Sequence, residues 1–352
     1  MILADPLSGS APITLNGGKL KCHGIPKYSG TITAKSGEID LEAKENALGD
    51  GTSTNQLIVQ ESGGPVKLVD TVGAATLANP ITLAGGTLNI FNAKSNSNAG
   101  EKLPTLSLTG KITSTNDHVE IDANDPLDIV SLSNIVATLR RDGTGTTYPL
   151  KLGGTTEIDL VGLLPGAAHV TVAGKVNLEN TFSGFGTLIV AGGTLSSFGA
   201  PNFEGTVTLQ SGTMKAEASN ALGTATLNVD ASKGTPNLDL TGVTISSLNI
   251  GTLQGALTIT GGSLTSATSP SVAANFNLTL RDNATVTLPS ALKSSASLKV
   301  TVSGQGEVDL GGTLDPNITI IVAADAGLKE LPDFHAAPGQ IQFTGGHLIT
   351  NG

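Results

Sequence analysis

The chain has no tryptophan, two tyrosines and one cysteine in 352 residues, and aromatic side chains make up 3% of it. A single cysteine, Cys22, rules out an intramolecular disulfide and with it the small disulfide-stapled scaffolds. Charge is scarce too, at 14% against about 25% in ordinary globular chains. Arginine occurs only at 140, 141 and 281, and the net charge is −10. No basic stripe is available to neutralise phosphates, so nucleic acid and anionic lipid are poor partners. No window approaches the roughly 18 apolar residues of a membrane helix. The start, "MILADPLSGS", has neither the basic nor the apolar region of an export signal. The chain therefore reads as soluble, without membrane insertion of its own. A mature fragment of an exported protein would read the same.

What is present is glycine, 45 residues of it, together with Ser, Thr and Asn in short alternation with aliphatic residues. "GTVTLQ", "ALTITGGSL" and "NLTLRDNATVTLP" each give about five residues of period two closed by Gly, Asn or Asp. That is the pattern of half-buried strands joined by turns. The best helical stretch, "AADAGLKELPDF" (323–334), is cut by Pro332. Glycine pairs recur at 17–18, 85–86, 192–193, 261–262, 311–312 and 345–346, at uneven intervals, where corners need positive φ or close backbone approach. Uneven spacing predicts irregular coils with insertions at 93–104, 142–150, 231–237, 266–275 and 325–340.

One stretch is written nearly twice. "YSGTITAKSGEIDLEAKENALG" (28–49) and "FEGTVTLQSGTMKAEASNALG" (203–223) match at Tyr28 and Phe203, Gly37 and Gly212, Leu48 and Leu222, and Gly49 and Gly223. Ile32, Ala34 and Ile39 in the first, and Val207, Leu209 and Met214 in the second, are expected to point inward. Gly37 and Gly212 are expected to turn a corner, and the leucines to plug the core. The repeat encodes stacking rather than chemistry.

Two all-β architectures accommodate this pattern. In an antiparallel sandwich the glycine pairs would close hairpins. In a parallel β-solenoid they turn corners within one coil, and its single buried face restores the alternation that most parallel sheets lose. The solenoid is the better fit. The paired stretches, together with a looser copy from Phe182 ("FSGFGTLIVAGGTL"), resemble the passenger-associated repeat of bacterial autotransporters. The resemblance implies a parallel β-helix displayed outside a Gram-negative cell. No counterpart of that family's C-terminal membrane barrel follows Gly304.

The expected fold is thus all-β, one parallel β-helix over 1–352 with irregular coils and loop insertions. Repeat-like coils lie near 28–59 and 182–229, and a C-terminal cap at 323–340. With 20–25 residues per coil, 14–17 coils are expected.

For chemistry, the densest acidic run is "NDHVEIDANDPLD", in which Asp117, Glu120 and Asp122 form an acidic surface cluster. On a strand Glu120 and Asp122 share a face about 7 Å apart, a separation that suits paired carboxylates or calcium. Val119, Ile121 and Ala123 fill the other face, which is the pattern of a solvated strand. The Asp-Asp and Gly-His-Gly signatures of β-helix polysaccharide hydrolases are absent, as are a Gly-Asp-Ser-Gly nucleophile and calcium nonapeptides. Arg140 and Arg141 are the only basic pair near the acidic run, and Tyr148 the only loop tyrosine. The histidines 23, 118, 169, 335 and 347 never fall at metal-ligand spacing, and Cys22-His23 has no ordering partner. Threonine pairs such as Thr258 and Thr260 follow no constant coil length, which speaks against an ice-binding ladder.

The sequence therefore predicts no catalytic residue, no cofactor and no metal. It points to a non-enzymatic surface or secreted adhesin or stalk, whose partner is a protein or glycan of a host or neighbouring cell. A polysaccharide-active or polysaccharide-binding β-helix and a phage-fibre or surface-layer component are the alternatives.

Overall fold

A computed structural model gives the fold. It describes all residues except 4–6, 53, 61, 74, 93–105, 109, 111, 115–118, 124–126, 130–149, 155–156, 161–162, 165–168, 181, 291 and 350–352. At some further strand positions, Glu120 and Asp122 among them, it describes the backbone alone.

Strands account for 59% of the chain and helix for 1%, in a parallel β-solenoid of about 13 turns. Ladders between strands of the described residues run parallel from coil to coil. The only antiparallel contact among them is an isolated bridge between Ala323 and Gly345. Hairpins would have required antiparallel ladders, so the sandwich is excluded. Two compact units are present, Met1–Thr187 and Leu188–Gly352.

In the first unit, Ile13, Ile32, Leu57, Ile81 and Ile112 succeed one another up the stack. Their steps of 19, 25, 24 and 31 residues make the coils irregular. In the second, Ile245, Leu264, Val286, Val308, Leu328 and Leu348 form a column of their own on another sheet, with steps of 19, 22, 22, 20 and 20. Each fully buried aliphatic side chain in such a column contributes about 1.5–3 kcal/mol. The bore closes tightly: voids of about 30 Å³ remain in the second unit, one of them lined by Leu227, Val229, Ile250 and Phe276 among other apolar side chains.

The longer strands turn corners without breaking. Ile32–Leu41 and Thr206–Ala216 both lose the in-out alternation over four residues around Gly37 and Gly212; the second then resumes it, while the first ends in the buried run Ile39, Asp40 and Leu41. Both glycines have positive φ, and both sit against the backbone of the coil below. A Cβ on Gly37 would come 2.5 Å from the Gly18 carbonyl oxygen, and one on Gly212 would strike that of Gly193. The glycine pairs at 17–18 and 192–193 are thus the floor on which the repeated corners stand.

Buried polar groups are tied down along the stack. Asn55 Nδ2 donates to the Gly30 and Leu48 carbonyls at 2.8 and 2.9 Å, while its Oδ1 accepts from Gly51 N–H and, at 2.6 Å, from Asn79 Nδ2. Asp70 follows Cys22 and Leu41 in an inward column, and its carboxylate accepts from the N–H groups of Val72, Gly73 and Ala75. A buried polar group without such partners would cost a few kcal/mol.

Three sequence expectations need correction. Residues 266–275 are mostly strand, with Ser263–Ser266 and Ser271–Arg281 leaving only 267–270 as connection. Ser271 and Asn275 face water, while Ser266 is buried with its hydroxyl donating to the Thr268 carbonyl at 2.8 Å. The turns number about 13 rather than 14–17, because coil steps reach 31 residues, and the stretch 323–334 forms a corner at Ala324-Asp325 and the strand Gly327–Glu330. Consequently 323–340 does not cap the stack, because Ile341–Thr344 and His347–Ile349 pair with the strands on either side of that corner. Of the remaining expected insertions, 231–237 holds the single-turn 3-10 helix Ala231–Lys233. The stretch 93–104, like 142–149, lies outside the described residues.

Candidate binding cleft

In the second unit one corner position recurs on five successive coils. Its small residues Gly262, Ala284, Gly306, Ala326 and Gly346 recur once per coil. The carbonyls of the first four accept the N–H of Thr285, Glu307, Gly327 and His347 from the next coil at 2.9–3.0 Å. Those acceptor positions are small because the chain folds closely over the coil beneath; a Cβ on Gly306 would strike the Ala284 carbonyl.

Immediately after the small residue comes a second column, Ser263, Thr285, Glu307, Gly327 and His347, in which Gly327 is buried beside the Ile349 side chain. Immediately before it comes a corner column, Gly261, Asn283, Gln305, Asp325 and Gly345. The two columns border an open cleft of about 430 Å³ lined by Asn283, Thr285, Gln305, Glu307, Asp325 and His347. Gly327 adds no side chain between Glu307 and His347.

Five of the six side chains are exposed and Thr285 is half-buried. None of the six makes a side-chain hydrogen bond or ion pair among the described residues. Two carboxylates face the cleft, and no lysine or arginine lines it. Among the described residues five that are not glycine have positive φ, and four of them, Asp282, Asn283, Ala324 and Asp325, stand at this corner. Such backbone is costly for residues with a Cβ, and it collects at functional sites more than elsewhere.

A second polar cluster lies in the first unit. Lys19 bridges the carboxylates of Glu38 and Asp40, while Lys21 and His23 both reach Glu42, at 3.0 and 2.8 Å. Asp40 is 3% exposed, and burial pushes its carboxyl up, aided by a hydrogen bond to Glu38. The ammonium of Lys19 holds Glu38 below the usual carboxylate range. Beside them Cys22 is fully buried, and burial raises its thiol to about 12, which removes it as a nucleophile.

The residues singled out from the sequence lie as follows. Tyr28 and Phe203 are buried at 2% and 0%, and the Tyr28 hydroxyl donates to the Ala11 carbonyl at 2.8 Å. Around them the backbone bonds correspond one for one. Tyr28 and Phe203 donate to Ile25 and Ala200 and accept from Asp50 and Thr224, and Gly49 and Gly223 donate to Asn46 and Asn220. Leu48 and Leu222 are buried at 0% and 2%. Asp117 lies outside the described residues, as do His118, Arg140, Arg141 and Tyr148. Glu120 and Asp122 lie on Val119–Ala123, next to Lys151 and Gly153 of the following coil, and their side chains are outside the description. Of the expected residues, then, the structure gathers the repeat positions into two equivalent coils.

The cleft residues were not singled out from the sequence, except His347 as a rejected metal ligand and Thr285, with Thr287, as one of the threonine pairs that follow no constant coil length. Among the described residues no group of three His, Cys, Asp or Glu side chains is placed to hold a metal ion. The exposed rings Phe185, Phe198 and Phe343 do not line the cleft. No family model, no curated protein and no solved structure matches the chain.

Proposed function

We propose that the chain is a non-enzymatic, secreted or cell-surface β-helical protein, acting as an adhesin or stalk on the outside of a Gram-negative cell in the manner of an autotransporter passenger. The observation that carries this reading is the twice-built coil, with the same backbone bonds around Tyr28 and Phe203. It is the physical form of the repeat whose sequence resembles the passenger-associated one. A solenoid assembled from such coils presents long polar faces while its stability resides in the aliphatic columns, a division suited to display.

The cleft supports recognition in preference to catalysis. Glu307, Asp325 and His347 are acid and base in type, yet no side chain among the described residues orients any of them, and general acid–base chemistry depends on such positioning. The partner on this reading is a protein or glycan of another cell.

The test is location. Antibody to the purified chain should label intact cells that express the full reading frame, and external protease should remove the label. Labelling only after permeabilisation would refute the proposal.

A further inference from the structure

We propose that the cleft bordered by Asn283, Gln305, Glu307, Asp325 and His347 binds a neutral, hydroxyl-rich saccharide chain and rejects acidic ones; this rests on reading the chain as an adhesive surface protein. The argument begins with functional groups. Asn283 and Gln305 end in carboxamides, and Glu307 and Asp325 in carboxylates. Each such planar head offers two heteroatoms side by side, so that one side chain can meet two neighbouring ring hydroxyls. Amides supply donors and acceptors, carboxylates supply charge-assisted acceptors, and Thr285 and the His347 imidazole add one group of each kind.

Arrangement carries the inference further. Asn283, Gln305 and Asp325 occupy the same corner position on three successive coils, and Thr285 and Glu307 the same outward position on two. Coils stack about 4.8 Å apart. A linear ligand laid along the columns therefore meets a planar hydrogen-bonding group at every step. The corner is held by left-handed backbone at Asp282, Asn283, Ala324 and Asp325, which sets the direction in which the Asn283 and Asp325 side chains leave the main chain.

Electrostatics sets the exclusion. With two carboxylates and no lining cation, uronates, sulfated sugars and phosphates are repelled. With no Phe, Tyr or Trp in the lining, His347 supplies its one ring, so a single contact is weak and adhesion depends on many copies acting together.

The experiment uses the purified full chain and nuclear magnetic resonance titration with neutral gluco-, manno- and N-acetylated chito-oligosaccharides, and with oligogalacturonate. At least one neutral series should shift the amide resonances of residues 283–285, 305–307 and 325, and oligogalacturonate should not. The double variant Glu307→Gln with Asp325→Asn keeps the planar heads and removes the charge. It should bind the neutral sugar within about threefold of the parent and should now admit oligogalacturonate. The triple variant Asn283→Ala, Gln305→Ala, Glu307→Ala should lose at least about tenfold in affinity while melting with the parent, because all three side chains are exposed. Absence of neutral-sugar binding, undiminished binding by the alanine variant, or equal binding of oligogalacturonate by the parent would overturn the proposal. A chain found on the cell surface that ignores sugars would sink this inference alone. Sugar binding by a protein confined inside the cell would sink only the surface reading.

Discussion

Lys19 Nζ lies 3.2 Å from Asp40 Oδ2, and the other oxygen of that carboxyl is buried without a partner among the described residues. The arrangement favours a proton on Asp40, which can then donate to Glu38 while Lys19 compensates the Glu38 charge. Asp40 has a raised folded pKa, so its contribution to stability is complete below its unfolded value and is lost as pH rises through the folded one. Glu38, with a lowered folded pKa, contributes above its unfolded value and loses that contribution as pH falls through the folded one. Asp40→Asn supplies the neutral form at every pH. Denaturant melts should show the variant gaining on the parent as pH rises from about 3 to about 7, with the difference closing at the acid end. A variant that loses ground as pH rises would refute the assignment.

Gly212 and Gly192 both have positive φ, but they differ in what stands above them. A Cβ on Gly212 would strike the Gly193 carbonyl, whereas one on Gly192 meets nothing within 4 Å. Gly192→Ala should therefore cost only the backbone strain, roughly 1–2 kcal/mol. Gly212→Ala should cost at least twice as much, because the carbonyl it meets is held in the stack. Urea midpoints of the two variants settle the order.

Leu222 plugs the second copy of the repeat and is 2% exposed. Leu222→Ala removes that plug and should cost about 2–5 kcal/mol through lost transfer and an unfilled cavity. In a stack where each coil touches its neighbours, the loss should stay near its origin. Hydrogen exchange should rise around 197–230 while the strands Leu298–Gly304 and Ile318–Ala323 keep their protection; uniform loosening would contradict a stacked architecture.

Cys22 offers a reporter that needs no mutation. With its thiol buried and raised to about 12, it should resist Ellman's reagent at about pH 8 in the native protein and react fully once unfolded. Rapid stoichiometric labelling of the native chain would show that the coil around Leu20 and Leu41 opens far more readily than its packing implies.

How far the sequence discloses this molecule depends on the length scale of the signal. Alternation in "GTVTLQ" marks a strand because inside and outside differ at every second residue. The 28–49 and 203–223 copies are recognisable because stacking constrains about twenty consecutive positions at once. The cleft corner was harder to see. Its column passes through Gly262, Ala284, Gly306, Ala326 and Gly346, and so it is a double glycine only at the first and last. Gly311-Gly312, counted among the glycine pairs, follows the strand Glu307–Leu310 and belongs to a different corner. The intervals looked irregular because unlike corners were being compared. Within the corner the real steps are 22, 22, 20 and 20, and "DNATVTL", "GQGEVDL" and "ADAGLKE" align once a small residue of either kind is accepted. The stretch 323–334 was the best helical candidate because Ala, Lys and Glu are good helix formers in isolation, but burial of Leu328 in the column above Val308 outweighs that preference.

The regular corner also separates two kinds of heritable change. Val286 and Val308 face inward, and their neighbours Thr285 and Glu307 face out from the same strands. A mutation at the second set rewrites what the surface recognises and leaves the scaffold's stability almost untouched. Such a surface can diverge quickly under selection, and it can be redesigned one coil at a time.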